Sequence, residues 1–320
     1  MFEILPYNNE MESRWDRFIM EESFNGTFLQ TRKFLNYHPE GRFKDASFLV
    51  EKSGIIVAAV PGNTANATFI SHQGSTFGGP VISKDFTSAS RMVEIVETID
   101  NHLRSQYKSA RLKITAQAFC SGKNDLLEYV LEHHGYARHT ELSCITPLDA
   151  GEDPLLKCKG ECRRNFRSAE AHGLTYRAIE DSELELFYKF LVISKAKYKT
   201  HPVHTIDELR DLQQRFPGKL IFRGMWDKET YLSGIMLFAF DNPKVLHFQY
   251  LAPDESKNGT NATTALFINV MREAAKNGYL RFSWGISTED GGNFLNTNLF
   301  RFKEAFGSEP ATNIYFTKNF

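Results

Sequence analysis

The sequence predicts an α/β protein of two domains, each a twisted mixed sheet flanked by helices. Its 320 residues are enough for two ordinary domains, and its 42% hydrophobic and 24% charged residues are typical of globular proteins. One order of elements also occurs in both halves: a hairpin, a third strand, a polar loop, a helix and a strand. We therefore expect one domain over residues 1–150 and a second over residues 151–320.

In the first half, two β-rich runs around Ser53-Gly54 predict a hairpin over residues 47–60. A third strand over residues 67–73 and a glycine-rich loop over residues 74–80 follow. Apolar residues three and four apart predict a helix over residues 87–107. The remaining predicted elements are a strand over residues 111–117, a helix over residues 125–134 capped by Gly135, and a strand region ending near Leu148.

In the second half, the hairpin is predicted over residues 219–240 and the third strand over residues 245–252. A polar loop and a helix ending at Gly278 come next, followed by a strand over residues 280–285. Between the halves, residues 153–172 are expected to form one basic helix that aligns Lys157, Arg164 and Arg167. Two further helices are expected over residues 182–197 and 205–216.

Composition and charge exclude several classes of protein. The 38 basic and 39 acidic residues almost cancel, which argues against a DNA-binding protein. No run of about 18 apolar residues is present, so no integral membrane segment is expected, and without a signal-like N-terminus we expect a cytoplasmic location. The four cysteines are too sparse for a disulfide framework and lack the spacing of a zinc site. We therefore expect buried free thiols and no metal.

The loop after the second-half third strand is the first candidate site. Lys257, Asn258, Gly259 and Thr260 precede a helix, whose N-terminal N–H groups favour phosphate or carboxylate. A plain turn with a helix cap explains the same residues. The glycine-rich loop over residues 74–80 is either a ligand-facing turn or a simple connection.

Basic residues between the halves form the second candidate. Arg163 and Arg164 could bind a diphosphate, because guanidinium groups match phosphate oxygens, although a solvated helix face is an equal alternative. His204 lies in a loop rich in lysine and histidine, where titratable groups often serve functional sites. His72, at the end of the first-half third strand, is a further substrate-binding candidate.

The third candidate is near the C-terminus. Ser287 and Asn298 follow the last strand of the second half, and Lys303 stands between Phe302 and Phe306. A lysine among aromatic residues is either held beside a cleft or extends along the apolar surface to solvent.

Several segments together resemble the tandem GNAT-like Fem family, including its acetyltransferase-like branch. They are CRRNFRSAEAHG, KAKYKTHPVHTIDELRDLQQRFPGKL, LHFQYLAP and FSWGISTEDGGNFLNTNLFRFKEAFG, and the segment GTFLQTRKFLNYH resembles the family's N-terminal entry helix. The resemblance covers nearly the whole chain. It implies two GNAT-like domains and transfer of an acyl group to an amine.

The resemblance leaves the donor open between acyl-CoA, as in GNAT acetyltransferases, and aminoacyl-tRNA, as in Fem-type ligases. The acceptor it implies is a small-molecule amine, or one linked to a lipid or nucleotide carrier. A catalytically silent binding protein on the same fold is a third alternative. The chain departs from the family in two respects. The loop SKNGTN has Ser256 and Asn261 at the outer positions of the usual CoA motif, and the helical arm of some tRNA-using members is absent.

The resemblance also suggests roles for individual residues. Lys303 corresponds to the family lysine near the substrate phosphates and the reacting carbonyl, and Arg163 falls in a segment like the substrate-proximal one. Tyr250 lies where GNAT strands separate to admit the acyl group. We expect Tyr250 to protonate the leaving group and His204 to act as general base, and either backbone N–H groups where the strands separate or the Lys303 ammonium to stabilise the oxyanion.

Overall fold

The computed structural model describes residues 2–320, apart from the side chain of Asn258. The chain forms two compact units. Unit 1 comprises the chain up to Glu141 with Asp290–Asn293 and Thr312–Phe320, and unit 2 comprises Leu142–Glu289 and Phe294–Ala311. A single division at residue 150 does not describe these units, because two later segments return to unit 1.

The described chain contains the following strands and helices. The strands are β1 (Phe2–Pro6), β2 (Lys44–Asp45), β3 (Phe48–Lys52), β4 (Ile55–Val60), β5 (Asn63–Ala65), β6 (Thr68–Ile70), β7 (Val81–Ile82), β8 (Ser109–Lys113), β9 (Ala137–Pro147), β10 (Thr175–Ala178), β11 (Leu220–Asp227), β12 (Thr230–Phe240), β13 (Val245–Pro253), β14 (Arg281–Ile286), β15 (Thr288–Glu289), β16 (Phe294–Leu295) and β17 (Glu309–Asn319). The helices are α1 (Glu12–Arg17), α2 (Arg32–Leu35), α3 (Ala89–Gln106), α4 (Asp125–His133), α5 (Gly160–Ala171), α6 (Leu184–Ala196), α7 (Ile206–Arg215), α8 (Ala262–Lys276) and α9 (Thr297–Glu304). None of the helices so described is long and apolar enough to cross a bilayer.

Unit 1 contains two groups of paired strands. The antiparallel strands β1, β3, β4 and β7 form one group, and β2, β5, β6, β8 and β17 form the other. Helix α3 follows the predicted spacing and buries Met92, Ile95, Val96, Ile99 and Leu103. These side chains join those of β3, β4 and β8 in one apolar core.

The two halves share an order of elements but differ in strand pairing. The predicted hairpin of the first half is confirmed as β3 and β4, but its third strand, β6, pairs with β5 and β8. The free edge of β4 is taken by β7 instead. In the second half, the third strand β13 pairs directly with the hairpin strand β12.

Unit 2 is built on the strand order β10, β11, β12, β13, β14 and the last residues of β9. Strands β13 and β14 run parallel, and α8 is the crossover between them. Nine residues of α8 are buried, and its Leu266, Phe267 and Ile268 are fully covered in the core of the unit. Helix α5 packs against α8 through Cys162, Phe166 and Ala169.

The single basic helix expected over residues 153–172 is wrong. Residues Pro154–Lys157 form a short 3-10 helix, and α5 begins only at Gly160. Cys158 and Lys159 between them are extended, and the Lys159 N–H donates to the carbonyl of Ala305. Lys157 therefore lies outside the helix that carries Arg164 and Arg167. The four cysteines are buried free thiols, as expected.

The glycine-rich loop over residues 74–80 is an internal connection of unit 1. A side chain at Gly78 would place its Cβ 1.8 Å from the carbonyl oxygen of Ser71. The Gly78 carbonyl accepts a hydrogen bond of 2.7 Å from the buried Gln30 side chain, which also donates to Thr115. Glycine is therefore required here for close packing within the protein rather than for approach to a ligand.

Replacing Gly78 by alanine should destabilise the protein by about 2 kcal/mol or more, because the backbone of Ser71 cannot yield to an added Cβ. The matched control is Gly259→Ala, since a Cβ at Gly259 meets nothing within 4 Å. We expect the control to change stability by less than about 0.5 kcal/mol. Thermal and urea unfolding of the two variants measure the difference in stability. Equal destabilisation of both would contradict the conclusion that Gly78 is required for close packing.

Candidate functional site

Strands β13 and β14 separate inside unit 2. They pair over three residues, Val245–His247 of β13 with Arg281–Ser283 of β14, although both strands continue further. The last pair is joined through its side chains, with His247 Nδ1 3.0 Å from Ser283 Oγ. Beyond this pair, the backbone of β13 has no partner in β14 along the register of the described chain.

A β-bulge lies just past the point of separation. Met236 of β12 faces Tyr250, and the next residue, Leu237, faces Phe248, so Gln249 has no opposite residue in β12. A bulge bends its strand and disrupts the ladder of backbone hydrogen bonds. The separation and the bulge together leave backbone groups near Gln249 outside regular strand pairing.

The ammonium group of Lys303 lies at the end of β14. Its Nζ donates hydrogen bonds of 2.9 Å to the carbonyl of Gly285 and 2.7 Å to the carbonyl of Ile286. Gly285 has a φ of +70°, a left-handed conformation that glycine adopts without a steric penalty. Lys303 is 2% exposed, and burial lowers its pKa to about 8.

Helix α9 positions Lys303 through its cap and its aromatic residues. Asn296 caps the helix, its side chain accepting the N–H of Leu299. Phe302 of the helix and Phe306 just after it lie 6.3 Å and 5.0 Å from the ring of Trp284, which precedes Gly285 in β14. These contacts fix α9 against the strand whose carbonyls bind the lysine.

Two more polar residues lie close to Lys303. Burial, and secondarily the charge of Lys303, lower the pKa of His247 to about 4, so its imidazole is neutral at pH 7. Burial raises the pKa of the Cys144 thiol, and the nearby Lys303 charge opposes that shift. Cys144 also lies 3.9 Å from the hydroxyl of Ser287, which is 1% exposed. Lys303 and Ser287, both candidates from the sequence, therefore share one neighbourhood.

The other two catalytic candidates contact each other directly. His204 Nδ1 is 2.7 Å from the hydroxyl oxygen of Tyr250, which also accepts a hydrogen bond of 3.2 Å from the Val203 N–H. Burial raises the pKa of Tyr250, so the phenol keeps its proton and can donate it to the imidazole. In that arrangement the proton of His204 is on Nε2. The pair ties the loop before α7 to β13.

The loop before α8 is occupied by its own hydrogen bonds. The Asp254 carboxylate accepts the Ser256 N–H at 3.1 Å and the Ser256 hydroxyl at 2.7 Å. Lys257 is exposed, the Thr260 hydroxyl donates to the Lys257 carbonyl at 2.9 Å, and Gly259 is open to solvent. The side chain of Asn258 lies outside the described part of the structure.

A cavity of about 300 Å³ lies between α5, α8 and α9. Phe302 and Phe306 contribute apolar surface, and Asn165, Thr264 and Asn298 contribute polar groups. Apolar pockets with a few polar groups are the usual form of a small-molecule site. Of the sequence candidates, Asn298 lines this cavity.

The remaining candidates lie elsewhere. Arg163 and Arg164 are on α5, where neither forms an ion pair with a residue that the structure describes. His72 is in unit 1, 6% exposed, stacked with the ring of His38 at 5.8 Å, and Gly74 N–H donates to its Nδ1 at 3.2 Å. Burial lowers the pKa of His72 to about 3, so the ring is neutral.

Sequence reasoning missed His247, Ser283 and Cys144. A usable signal was present for two of them, because His247 stands between Leu246 and Phe248, and Ser283 between Phe282 and Trp284. A buried polar residue on such a strand requires a partner. Cys144 carries no comparable signal, since cysteine is common in apolar cores.

No protein-family model matches the sequence, and no curated protein matches it either. Solved structures do match. The crystal structure of FemX has a TM-score of 0.70 at 12% identity, covering 99% of this chain and 97% of that one. The C-terminal domain (DUF2156) of a putative lysylphosphatidylglycerol synthetase from Agrobacterium fabrum has a TM-score of 0.62 at 14% identity, covering 98% and 93%.

A tandem GNAT protein from the clavulanic acid biosynthesis pathway matches with a TM-score of 0.53 at 11% identity, covering 100% of this chain and 98% of that one. These matches span nearly the full length of both partners, so they concern the two-domain arrangement of elements and not one domain alone. The fold expected from the resemblance is confirmed: the protein has the tandem GNAT-like fold that FemX and these proteins share.

Proposed function

We propose that the protein transfers an acyl group from an activated ester or thioester to a primary amine at the end of β13. The observation that carries this proposal is the separation of β13 from β14 after His247, together with the bulge at Gln249. Backbone N–H groups that have lost their strand partners are suited to bind an acyl carbonyl oxygen. The buried Lys303 ammonium supplies positive charge on the β14 side.

The reaction follows from these groups. The amine nitrogen forms a bond to the carbonyl carbon, and the oxyanion is stabilised by backbone N–H groups near Gln249 and by Lys303. Collapse of the tetrahedral intermediate breaks the bond from carbon to sulfur or oxygen. The amine loses one proton, and the leaving group gains one. Because His204 and Tyr250 share a hydrogen bond, we propose that they act as one proton-transferring pair.

The acceptor we propose is an amine of a bacterial cell-envelope or polysaccharide precursor in the cytoplasm, linked to a nucleotide or lipid carrier. Arg163 and Arg164 on α5 are available for a diphosphate, since neither is paired within the part of the chain that the structure describes. Ser287 and Asn298 are proposed to contact the substrate beside Lys303 and in the cavity. His72 lies in unit 1, and any contact that it makes with the substrate is proposed to be there.

Acyl-CoA is the donor proposed first, with Lys257, Asn258, Gly259 and Thr260 binding its phosphates. A specific observation favours aminoacyl-tRNA as a second candidate. The Asp254 carboxylate already accepts the Ser256 N–H in this loop, and a diphosphate there would meet a negative charge. An aminoacyl ester whose phosphates bind elsewhere avoids that repulsion.

Calorimetry with acetyl-CoA and with aminoacyl-tRNA distinguishes the two donors. If CoA binds at this loop, Asp254→Asn should tighten its binding about fivefold or more, because a repelling charge is removed. Asp241→Asn, another acidic residue at a turn, is the matched control and should leave CoA binding unchanged. Salt-sensitive binding of tRNA alone would support the second donor. Binding of neither would leave a silent protein and overturn the proposal.

The pH dependence of kcat/KM tests the charge of Lys303. Since its pKa is lowered to about 8, the ammonium form is present below that pH and is lost as the pH rises through it. We expect activity to fall above about pH 8, and Lys303→Arg to move this fall to higher pH. Lys303→Met should lower kcat about 100-fold. As a control, Lys159→Met removes an exposed lysine near α9 and should leave kcat and the pH dependence nearly unchanged.

A double-mutant cycle tests the Tyr250–His204 pair. Tyr250→Phe and His204→Ala should each lower kcat about 100-fold, because either change ends proton transfer through the shared hydrogen bond. The double variant should be no worse than the poorer single variant, since both remove one function. If the two losses in kcat multiply in the double variant instead, Tyr250 and His204 act independently. Circular dichroism confirms that each variant is folded before its kinetics are measured.

A further inference from the structure

Helix α6 carries apolar residues on both its buried and its exposed face. Leu184, Phe187 and Leu191 are buried, and the helix packs against β13. On the other side, Val192 is 36% exposed and Ile193 is 47% exposed. An amphipathic helix normally presents polar residues to water, so a second apolar face requires an explanation.

The exposed apolar surface continues into the loop after α6. Every residue over 196–201 is exposed, and the side chains of Tyr198 and Val203 are 77% and 69% exposed. Lys199 adopts a left-handed φ of 54° and so bends the chain at this point. We call Lys189, Val192, Ile193, Tyr198, Lys199 and Val203 the α6 surface.

The charge of the α6 surface is positive. The sequence has no aspartate or glutamate between Glu185 and Asp207, but it has four lysines there. Two of the lysines are engaged: Lys197 pairs with Glu255, and Lys195 is half-buried against the Tyr250 ring. Lys189 and Lys199 form no ion pair with any residue in the described range 2–320, and the exposed His201 follows Lys199 by two residues.

We infer that the α6 surface docks the protein peripherally on a membrane that contains anionic lipids. Exposed aliphatic and aromatic side chains flanked by lysines are suited to the boundary between headgroups and acyl chains. The unpaired lysines complement the negative potential of such a surface. A second copy of the chain fits less well, because a two-fold interface through this patch would bring its lysines near one another.

The docked surface is continuous with the candidate site. The Val203 N–H donates to the Tyr250 hydroxyl, and the neighbouring His204 bonds to the same oxygen. A protein held on a membrane by this loop therefore has the proton-transferring pair of unit 2 next to the lipid surface. The inference does not depend on the proposed reaction, because membrane binding is measured without any substrate.

Co-sedimentation with vesicles tests the inference. We expect the full chain to bind vesicles with about one-third phosphatidylglycerol in phosphatidylcholine, and not vesicles of phosphatidylcholine alone. Binding should weaken as salt is raised, because surface charges are screened. The K189E/K199E variant should bind about 25-fold more weakly or worse, since each lysine contributes roughly fivefold. The V192S/I193S variant should also bind vesicles more weakly by a similar factor, because its apolar contacts with the acyl chains are lost.

Matched controls change the same residue types outside the α6 surface. Ile55→Ser replaces an aliphatic side chain that is 58% exposed in β4, and Lys123→Glu reverses an exposed lysine in unit 1. Both should bind vesicles like the parent chain. Absence of binding to anionic vesicles at low salt would overturn the inference, as would equal binding by the α6 variants and the controls. A dimer in sedimentation velocity that V192S/I193S dissociates would instead assign the surface to a second copy.

Discussion

The buried ammonium of Lys303 is the interaction on which the architecture of unit 2 depends. Strand β14 ends in two carbonyls, those of Gly285 and Ile286, which turn toward one side chain of α9. Buried carbonyls without donors would be costly, and so would a buried cation without acceptors. Each satisfies the other, so removing either would leave an unpaired polar group under the aromatic residues of α9. Burial lowers the pKa of the lysine only to about 8, so the ammonium form still predominates at pH 7.

The two parallel strands separate close to this contact: their pairing ends at Ser283, two residues before Gly285. The aromatic side chains Phe248, Phe267 and Trp284 pack against one another where the ladder stops, with ring centroids 4.7–6.4 Å apart. An open edge between two strands is thus covered by side chains, while backbone groups at the bulge stay outside regular pairing.

Local patterns determined which elements were predictable from the sequence. The spacing in α3 and the turn signals of both hairpins report local geometry, and they predicted these elements within a few residues. The pairing of β6 with β8 depends on contacts about forty residues apart, which periodicity does not encode. The break at Cys158 and Lys159 was missed because its cause, the bond from Lys159 to Ala305, is distant in sequence. Most of the site likewise depends on contacts between residues that are distant in sequence. His204 and Tyr250 were predicted separately, and only the fold gives them a shared hydrogen bond.

The comparisons separate what the fold determines from what the loops determine. A TM-score of 0.70 at 12% identity means that this chain and FemX share an architecture although most of their residues differ. The Asp254 carboxylate and the α6 surface belong to a loop and a helix face, which can vary without disturbing the core. In the proposals made above, the charge of this loop bears on the donor and the charge of this helix face bears on membrane binding, so both depend on a few surface residues rather than on the shared core.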